Sequence, residues 1–233
     1  MRINIVHEDS LATLSRRFPG MARLAEGLPL THASWVWNLS KRVDANVLFL
    51  GKTGHGKSSL LNAISGGGYF PTSDVEACTR DAASAEYAWP GQEVHHLSLV
   101  DMPGVGESCK RDAEYHRLYR DHCLKAGAVV WVLAADRRNH SVDLETLKWI
   151  FGGSLPDHVL FALNMIDRLP PVNRHSQELT AAQQVNLQAK RLECARTFGV
   201  DKARILPVSA AAGLGLNELL GTVSHAVVYR SRD

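Results

Sequence analysis

At 233 residues, 45% of them hydrophobic and 21% charged, the chain is long enough to bury one sizeable core, and one domain with an appendage is expected rather than two. A formal charge of +2 is too small to argue for nucleic acid or an anionic membrane surface as a partner. No apolar run reaches the roughly 18 residues of a membrane span, no signal-peptide core opens the chain, and Cys78, Cys109, Cys123 and Cys194 form no C-x-x-C pair or even framework, so reduced thiols in a cytoplasmic protein are expected.

In chain order, residues 1–44 read as an N-terminal helical arm. Leu11, Leu14, Phe18, Met21 and Leu24 fall at helical spacing, but Pro19-Gly20 interrupts them, so two short helices or a kinked one are expected, with a further helical stretch over 32–42. Trp35 and Trp37 either cover the domain's own apolar surface or anchor a partner, and Lys41-Arg42 reads as a solvated face. Residues 45–233 form the main domain. Its strands are predicted at Asn46–Leu50, Ala82–Trp89, Val94–Val100, Ala128–Leu133, His158–Leu163 and Arg204–Val208, with Pro90-Gly91 closing a hairpin between the second and third. Helical patterns lie between them at Ser58–Ile64, Glu114–Ala126, Val142–Phe151 and Gln177–Phe198. A last helix carries Leu216, Leu219, Leu220, Val223 and Val227 on one face. Alternating strands and helices imply an α/β fold: a mixed six-stranded sheet with one antiparallel edge strand and helices on both faces.

One stretch, LFLGKTGHGKSSLLNAI at 48–64, carries chemistry. Gly51, four residues, then Gly56-Lys57-Ser58 is the phosphate-binding loop pattern, set where it must be, between a buried strand and a helix start. Backbone N–H groups and the helix N-terminus cradle an anion, Lys57 adds a point charge for the β and γ phosphates, and Ser58 offers its hydroxyl to Mg²⁺. The expected nucleotide contacts are therefore Gly51, Thr53, Gly54, His55, Gly56, Lys57, Ser58 and Ser59. Such a loop alone does not separate an ATPase, a nucleotide kinase and a GTPase. Three further elements stand at predicted strand ends: Asp101-Met102-Pro103-Gly104, with an aspartate for Mg²⁺ and a glycine N–H for the γ phosphate; Asn164-Met165-Ile166-Asp167, where N-K-x-D reads guanine; and Ser209-Ala210.

With these four elements in order, the chain resembles Ras-like P-loop GTPases of the translation-factor-related branch that includes TrmE, Era and the septins. It is most similar to small bacterial Era-like proteins with a G-x-T-G-x-G-K-S loop, a segment like SDVEACTRD (73–81) and one like AADRRNHSVD (134–143). The resemblance covers roughly 45–230 and implies GTP and GDP as ligands, Mg²⁺ as cofactor, and slow hydrolysis used as a conformational switch. It implies that Thr79 reaches Mg²⁺ and the γ phosphate, that Lys57, Thr79, Asp101 and Gly104 serve hydrolysis, and that Ser58, Thr79 and Asp101 hold the metal. Asn164 is then expected to contact the guanine edge with Met165 beside it, Asp167 to accept the ring and amino hydrogens, and the Ser209-Ala210 backbone to support the base.

Departures from the family pattern carry their own expectations. Met165 replaces the lysine that lies along the base, and Gly54 replaces the asparagine of potassium-dependent relatives. Val105 stands where Ras has its water-positioning glutamine, so a homodimer through the G domain or an unidentified protein partner is expected to supply what is missing, with Arg80 and Arg111 as candidate charges. Only 23 residues follow Ala210, so the RNA-binding domain of Era is not expected, and nucleic-acid or ribosome binding has no sequence support. His95-His96, His116 and His122 lack zinc-site spacing, and His55 reads as inert in hydrolysis. Two other classes stay open: a nucleotide-binding module that does not turn over, and an ATP-using P-loop protein.

Overall fold

The computed structural model describes residues 2–6, 45–65, 70–72, 82–88, 96–106, 119–172 and 178–230. Seven strands, β1 (Arg2–Val6), β2 (Ala45–Leu50), β3 (Ala83–Ala88), β4 (His96–Asp101), β5 (Ala128–Ala134), β6 (Val159–Asn164) and β7 (Ile205–Pro207), form one sheet in the order β1-β3-β4-β2-β5-β6-β7. The helices are α1 (Lys57–Ser65), α2 (described over 119–125), α3 (Ser141–Phe151), α4 (Ala181–Phe198) and α5 (Leu216–Arg230). The six expected strands are all present, and β2, β4, β5, β6 and β7 run parallel while β3 pairs antiparallel to β4.

The sheet gains an unexpected seventh strand: β1 pairs parallel with β3, from Arg2 opposite Ser84 to Val6 opposite Ala88, and so forms the outer edge beyond the antiparallel strand. A five-residue segment thus leaves the arm and joins the sheet. The rest of the expected arm, 7–44, lies outside the described residues, as do the Pro90-Gly91 turn, residues 114–118 of the second predicted helix, and Thr79, Arg80 and Arg111.

Burial explains the parallel core. All seven residues of β5, AVVWVLA, are buried, as a strand covered on both faces requires. Side chains alternate across the sheet. Val47, Phe49, Val130, Val132 and Ala162 meet Leu60, Leu61 and Ile64 of α1 and Leu219, Val223 and Val227 of α5. On the opposite face Leu48, Leu50, Val129, Trp131 and Phe161 meet Tyr119 and Cys123 of α2, Leu147 and Ile150 of α3, and Leu187, Cys194 and Phe198 of α4. Burial pushes the Cys123 thiol up to about 12 and Cys194 up to about 11, which keeps both unreactive. Helix α4 starts four residues after its expected position because Thr180 and Gln183 form a reciprocal capping box, and it ends at Gly199 in the left-handed region, φ 64°. No helix among the described residues is long and apolar enough to cross a membrane.

Candidate functional site

The carboxyl ends of β2, β4, β6 and β7 bring the motifs together. Between β2 and α1 the chain turns through residues 51–56 in a conformation only glycine allows at two places. At Gly51, φ 140°, a Cβ would lie 2.3 Å from the Val132 carbonyl oxygen, and at Gly56, φ 81°, it would lie 2.5 Å from Asn164 Nδ2. Nothing lies within 4 Å of the corresponding point on Gly54, so the crest of the loop is open to an incoming group. Lys57 is buried and its ammonium donates to the carbonyls of Gly51 at 3.1 Å and Lys52 at 3.4 Å, which folds its charge back over the loop. Helix α1 begins at that same lysine, so the loop and the positive end of the helix share one concavity.

β4 lies beside β2 with Phe49 opposite Asp101. That register sets Asp101, fully buried, against the start of α1, where Ser58 Oγ donates to its Oδ2 at 2.6 Å. A hydroxyl and a carboxylate, both hard oxygen donors, thus converge beside the phosphate cradle, which is the donor chemistry Mg²⁺ selects. The two would hold the ion together. The chain beyond Asp101 is sewn to the loop: Met102 N donates to Phe49 O at 3.1 Å, Val105 N to Gly51 O at 3.2 Å and Thr53 N to Val105 O at 3.3 Å. Gly104 packs so tightly there that a Cβ would sit 2.1 Å from Thr53 Oγ1. The Val105 side chain, 1% exposed, points into the core.

At the end of β6, Asn164 is buried and its amide is engaged on both sides. Nδ2 donates to His55 O at 3.1 Å and lies 3.4 Å from Gly56 O, while Oδ1 accepts from Ala210 N at 3.1 Å. The expected guanine-edge residue therefore ties three segments to one another. Met165 follows in the left-handed region, φ 64°, with its Cε 3.3 Å from where a Gly56 Cβ would stand, so its thioether lies over the loop. Asp167 sits in a 3-10 turn, Ile166–Arg168, and its Oδ1 accepts from Ser209 Oγ at 2.6 Å. Ser209 Oγ in turn accepts from Ala212 N at 3.0 Å. Sequence reasoning assigned Ser209 only a backbone role; its hydroxyl is what orients Asp167.

The side-chain partners of two buried residues near the loop were not readable from sequence. His55, expected as a loop contact and as inert in hydrolysis, has Nδ1 3.1 Å from the Val132 carbonyl. Burial is the largest influence on its ring and lowers its pKa, with Lys57 and Lys52 acting in the same direction and Asp143 and the Val132 bond opposing. Asp143, also fully buried, accepts from Trp131 Nε1 at 2.9 Å and lies 3.9 Å from His140 Nδ1. A separation of 77 positions between His55 and Val132 leaves no local pattern to find.

The comparisons agree with this geometry. Residues 46–165, more than half of the chain, match the family model described as 50S ribosome-binding GTPase. Over 141 residues the chain is 38% identical to the uncharacterized protein YkfA of Escherichia coli K12, covering 60% of this chain and 48% of YkfA. It is 28% identical over 179 residues to GTPase Der of Aquifex aeolicus, covering 76% of this chain and 36% of Der. The chain thus spans about half the length, or less, of these curated relatives. Among solved structures, Toc33 of Arabidopsis thaliana in complex with Mg²⁺ and GMPPNP superposes with a TM-score of 0.63 at 15% identity, over 88% of this chain and 95% of Toc33, which establishes a shared Ras-like fold. With its phosphate loop, D-x-x-G segment and N-x-x-D segment at strand ends along one edge of the sheet, the chain belongs to the 50S ribosome-binding GTPase family.

Proposed function

We propose that the chain binds GTP and GDP with Mg²⁺ and hydrolyses GTP slowly, the bound nucleotide setting the conformation of the segments around it. The observation that carries this reading is the pairing of Ser58 with Asp101 at 2.6 Å beside a phosphate loop that admits no side chain at Gly51 or Gly56. When bound, Mg²⁺ neutralises charge on the β and γ phosphates. The chain's own residues do the rest. Lys57 leaves the Gly51 and Lys52 carbonyls for the phosphate oxygens, N–H groups at the loop crest and the start of α1 hold the anion, and Asp167, fixed by Ser209, accepts the two guanine hydrogens that adenine lacks.

Within the family we place the chain on the Era-like branch, on the G-x-T-G-x-G-K-S loop and the SDVEACTRD and AADRRNHSVD segments. Residues 45–233 act as the G domain and 1–44 as its appended arm, of which β1 joins the sheet of that domain. Thr79 serves as the switch residue that reaches the metal and the γ phosphate. A second copy or another protein completes the hydrolytic site; for the fold-neighbour Toc33, dimerization is important for GTPase activity. The work of the switch takes place in the cytoplasm.

Calorimetry of GDP against ADP, with and without Mg²⁺, tests the reading. GDP should bind at least about thirtyfold tighter, roughly 2 kcal/mol. Equal affinities would replace the guanine assignment with the ATP alternative, and bound GTP that stays intact through long incubation would favour a module that does not turn over.

A further inference from the structure

Val132 marks the end of a ladder. The β2–β5 pairing closes with Leu50 opposite Trp131, so Val132 stands one residue past the last pair. Its carbonyl faces the phosphate loop, at 2.3 Å from where a Gly51 Cβ would be. No β2 amide is left to meet that carbonyl, and His55 takes the place: the residue is 3% exposed and its Nδ1 lies 3.1 Å from the Val132 oxygen. A carbonyl only accepts, so Nδ1 carries the hydrogen. The main chain of the same residue completes a second link. His55 O accepts from Asn164 Nδ2 at 3.1 Å, and Asn164 Oδ1 accepts from Ala210 N at 3.1 Å. The next carbonyl, Gly56 O, accepts from Leu60 N at 2.9 Å in the first turn of α1.

We propose that His55 is a positioning residue of the nucleotide site: its imidazole fastens the phosphate loop to the end of β5, and so fixes the carbonyl from which Asn164 and the base-reading segment hang. This rests on the guanine-nucleotide reading above. Burial keeps the ring in its neutral form near neutral pH, with Lys52 and Lys57 favouring the same form against the pull of Asp143, so the lock adds no positive charge under the loop. Removing the Nδ1 donor leaves the Val132 carbonyl buried without that bond and frees the loop to move relative to β5. The loop N–H groups then hold the phosphates less well, and nucleotide leaves faster.

Asparagine and glutamine separate this role from mere filling of space. The asparagine amide places a donor where Nδ1 stands, whereas the glutamine amide places one where Nε2 stands. Release of a methylanthraniloyl GDP from the Mg²⁺ complex, followed by stopped flow, should be within about twofold of wild type in His55→Asn. It should be about tenfold faster in His55→Gln, the factor that corresponds to roughly 1.4 kcal/mol for one buried hydrogen bond. Equal release from the two variants, or faster release from His55→Asn, would overturn the proposal. His55→Leu covers the case in which glutamine disturbs folding: it fills the space with no donor and should release as fast as expected for His55→Gln, and a wild-type rate would overturn the lock. If the wild-type protein holds no GDP, the guanine reading itself has failed, and the proposal with it; a wild type that holds GDP while the variants follow the wrong order rejects the lock alone.

Discussion

Ser209 Oγ donates to Asp167 Oδ1 at 2.6 Å, across 42 positions of sequence, and is itself held by Ala212 N at 3.0 Å. The serine therefore aims the carboxylate that we propose reads the base. A hydrogen bond to a charged group is worth about 1.5–3 kcal/mol. Ser209→Ala should weaken GDP binding by roughly tenfold while leaving ADP binding little changed, so the preference for guanine narrows. Asp167→Asn should shift preference toward xanthine nucleotides, whose 2-oxo group suits an amide donor. Paired titrations of GDP, XDP and ADP check both, and unchanged discrimination in Ser209→Ala would mean that Asp167 needs no support.

At the phosphate end, Lys57 and Ser58 are expected to fail in different ways. Lys57 brings the charge that the loop carbonyls of Gly51 and Lys52 hold in reserve, so Lys57→Ala should lower GDP affinity by at least about a hundredfold, on the order of 3 kcal/mol. Ser58 donates to Asp101, and its loss chiefly removes one oxygen from the cation site. In Ser58→Ala, GDP affinity measured with Mg²⁺ should fall toward the value measured with EDTA. Wild-type affinity in Lys57→Ala would contradict the phosphate-loop assignment.

The loop glycines differ in what they tolerate. A Cβ at Gly51 would meet the backbone oxygen of Val132 at 2.3 Å, and neither strand can yield without opening the sheet. Gly54, φ 84°, faces open space, so an alanine there carries only the cost of a left-handed backbone, about 1–2 kcal/mol. In nucleotide-free protein Gly54→Ala should lower Tm by a few degrees, and Gly51→Ala by considerably more. Similar losses at the two positions would mean that the close approach of the loop to β5 is relaxed in solution.

Much of this site was legible from local pattern. Buried parallel strands such as AVVWVLA announce themselves as unbroken apolar runs, and the motif residues at their ends, Lys57, Ser58, Asp101, Asp167 and Ser209, meet because parallel topology puts those ends on one edge. What was missed depends on partners far away in sequence. His55 looks like a variable loop residue until Val132 is beside it, and the ties of Asn164 to three backbone groups show only once those groups lie beside it. β1 is five residues, RINIV, whose alternating β-branched side chains suit a strand, but its place beside β3 depends on a partner about 80 positions away. The Thr180–Gln183 box was readable as T-x-x-Q and would have set the start of α4 correctly.

His158 gives the fold a pH dependence of its own. Burial, and then the charge of Arg230, push its pKa down to about 4, against the Cys123 carbonyl 3.3 Å from Nε2, which pulls the other way. The unfolded ring takes its proton near pH 6.5, whereas the folded ring takes it only near 4, so the unfolded state binds more protons between those values. The stability due to this histidine is fully present above about pH 6.5, declines as pH falls toward 4, and changes no further below that. Urea unfolding of wild type and His158→Gln at pH 7, 5.5 and 4.5 isolates the effect from other titrating groups. The wild type should lose more stability than the variant over this range, and parallel losses would show that His158 does not carry it.

Hydrolysis should be slow in the isolated chain for a reason visible in the core. Val105 occupies the place where a glutamine orients water in Ras, but its side chain is 1% exposed and packed into the core on the face covered by α2, α3 and α4, and its N–H is committed to Gly51 O at 3.2 Å. A buried valine neither donates to a water nor swings out to meet one without opening the sheet end beside the loop. The rate should therefore lie on the order of 10⁻⁴ to 10⁻² s⁻¹, as for switches of this fold that lack external help. A water-positioning group or a stabilising positive charge can come from outside, as an arginine finger does, and a second copy of the chain is one source that protein concentration controls. Turnover per molecule should then rise across a hundredfold range of concentration, in step with self-association seen by sedimentation with a nonhydrolysable analogue. If turnover stays low and flat while the chain remains monomeric, the missing group belongs to a different protein. A fast rate that is independent of concentration would mean that a residue of this chain other than Val105 positions the water.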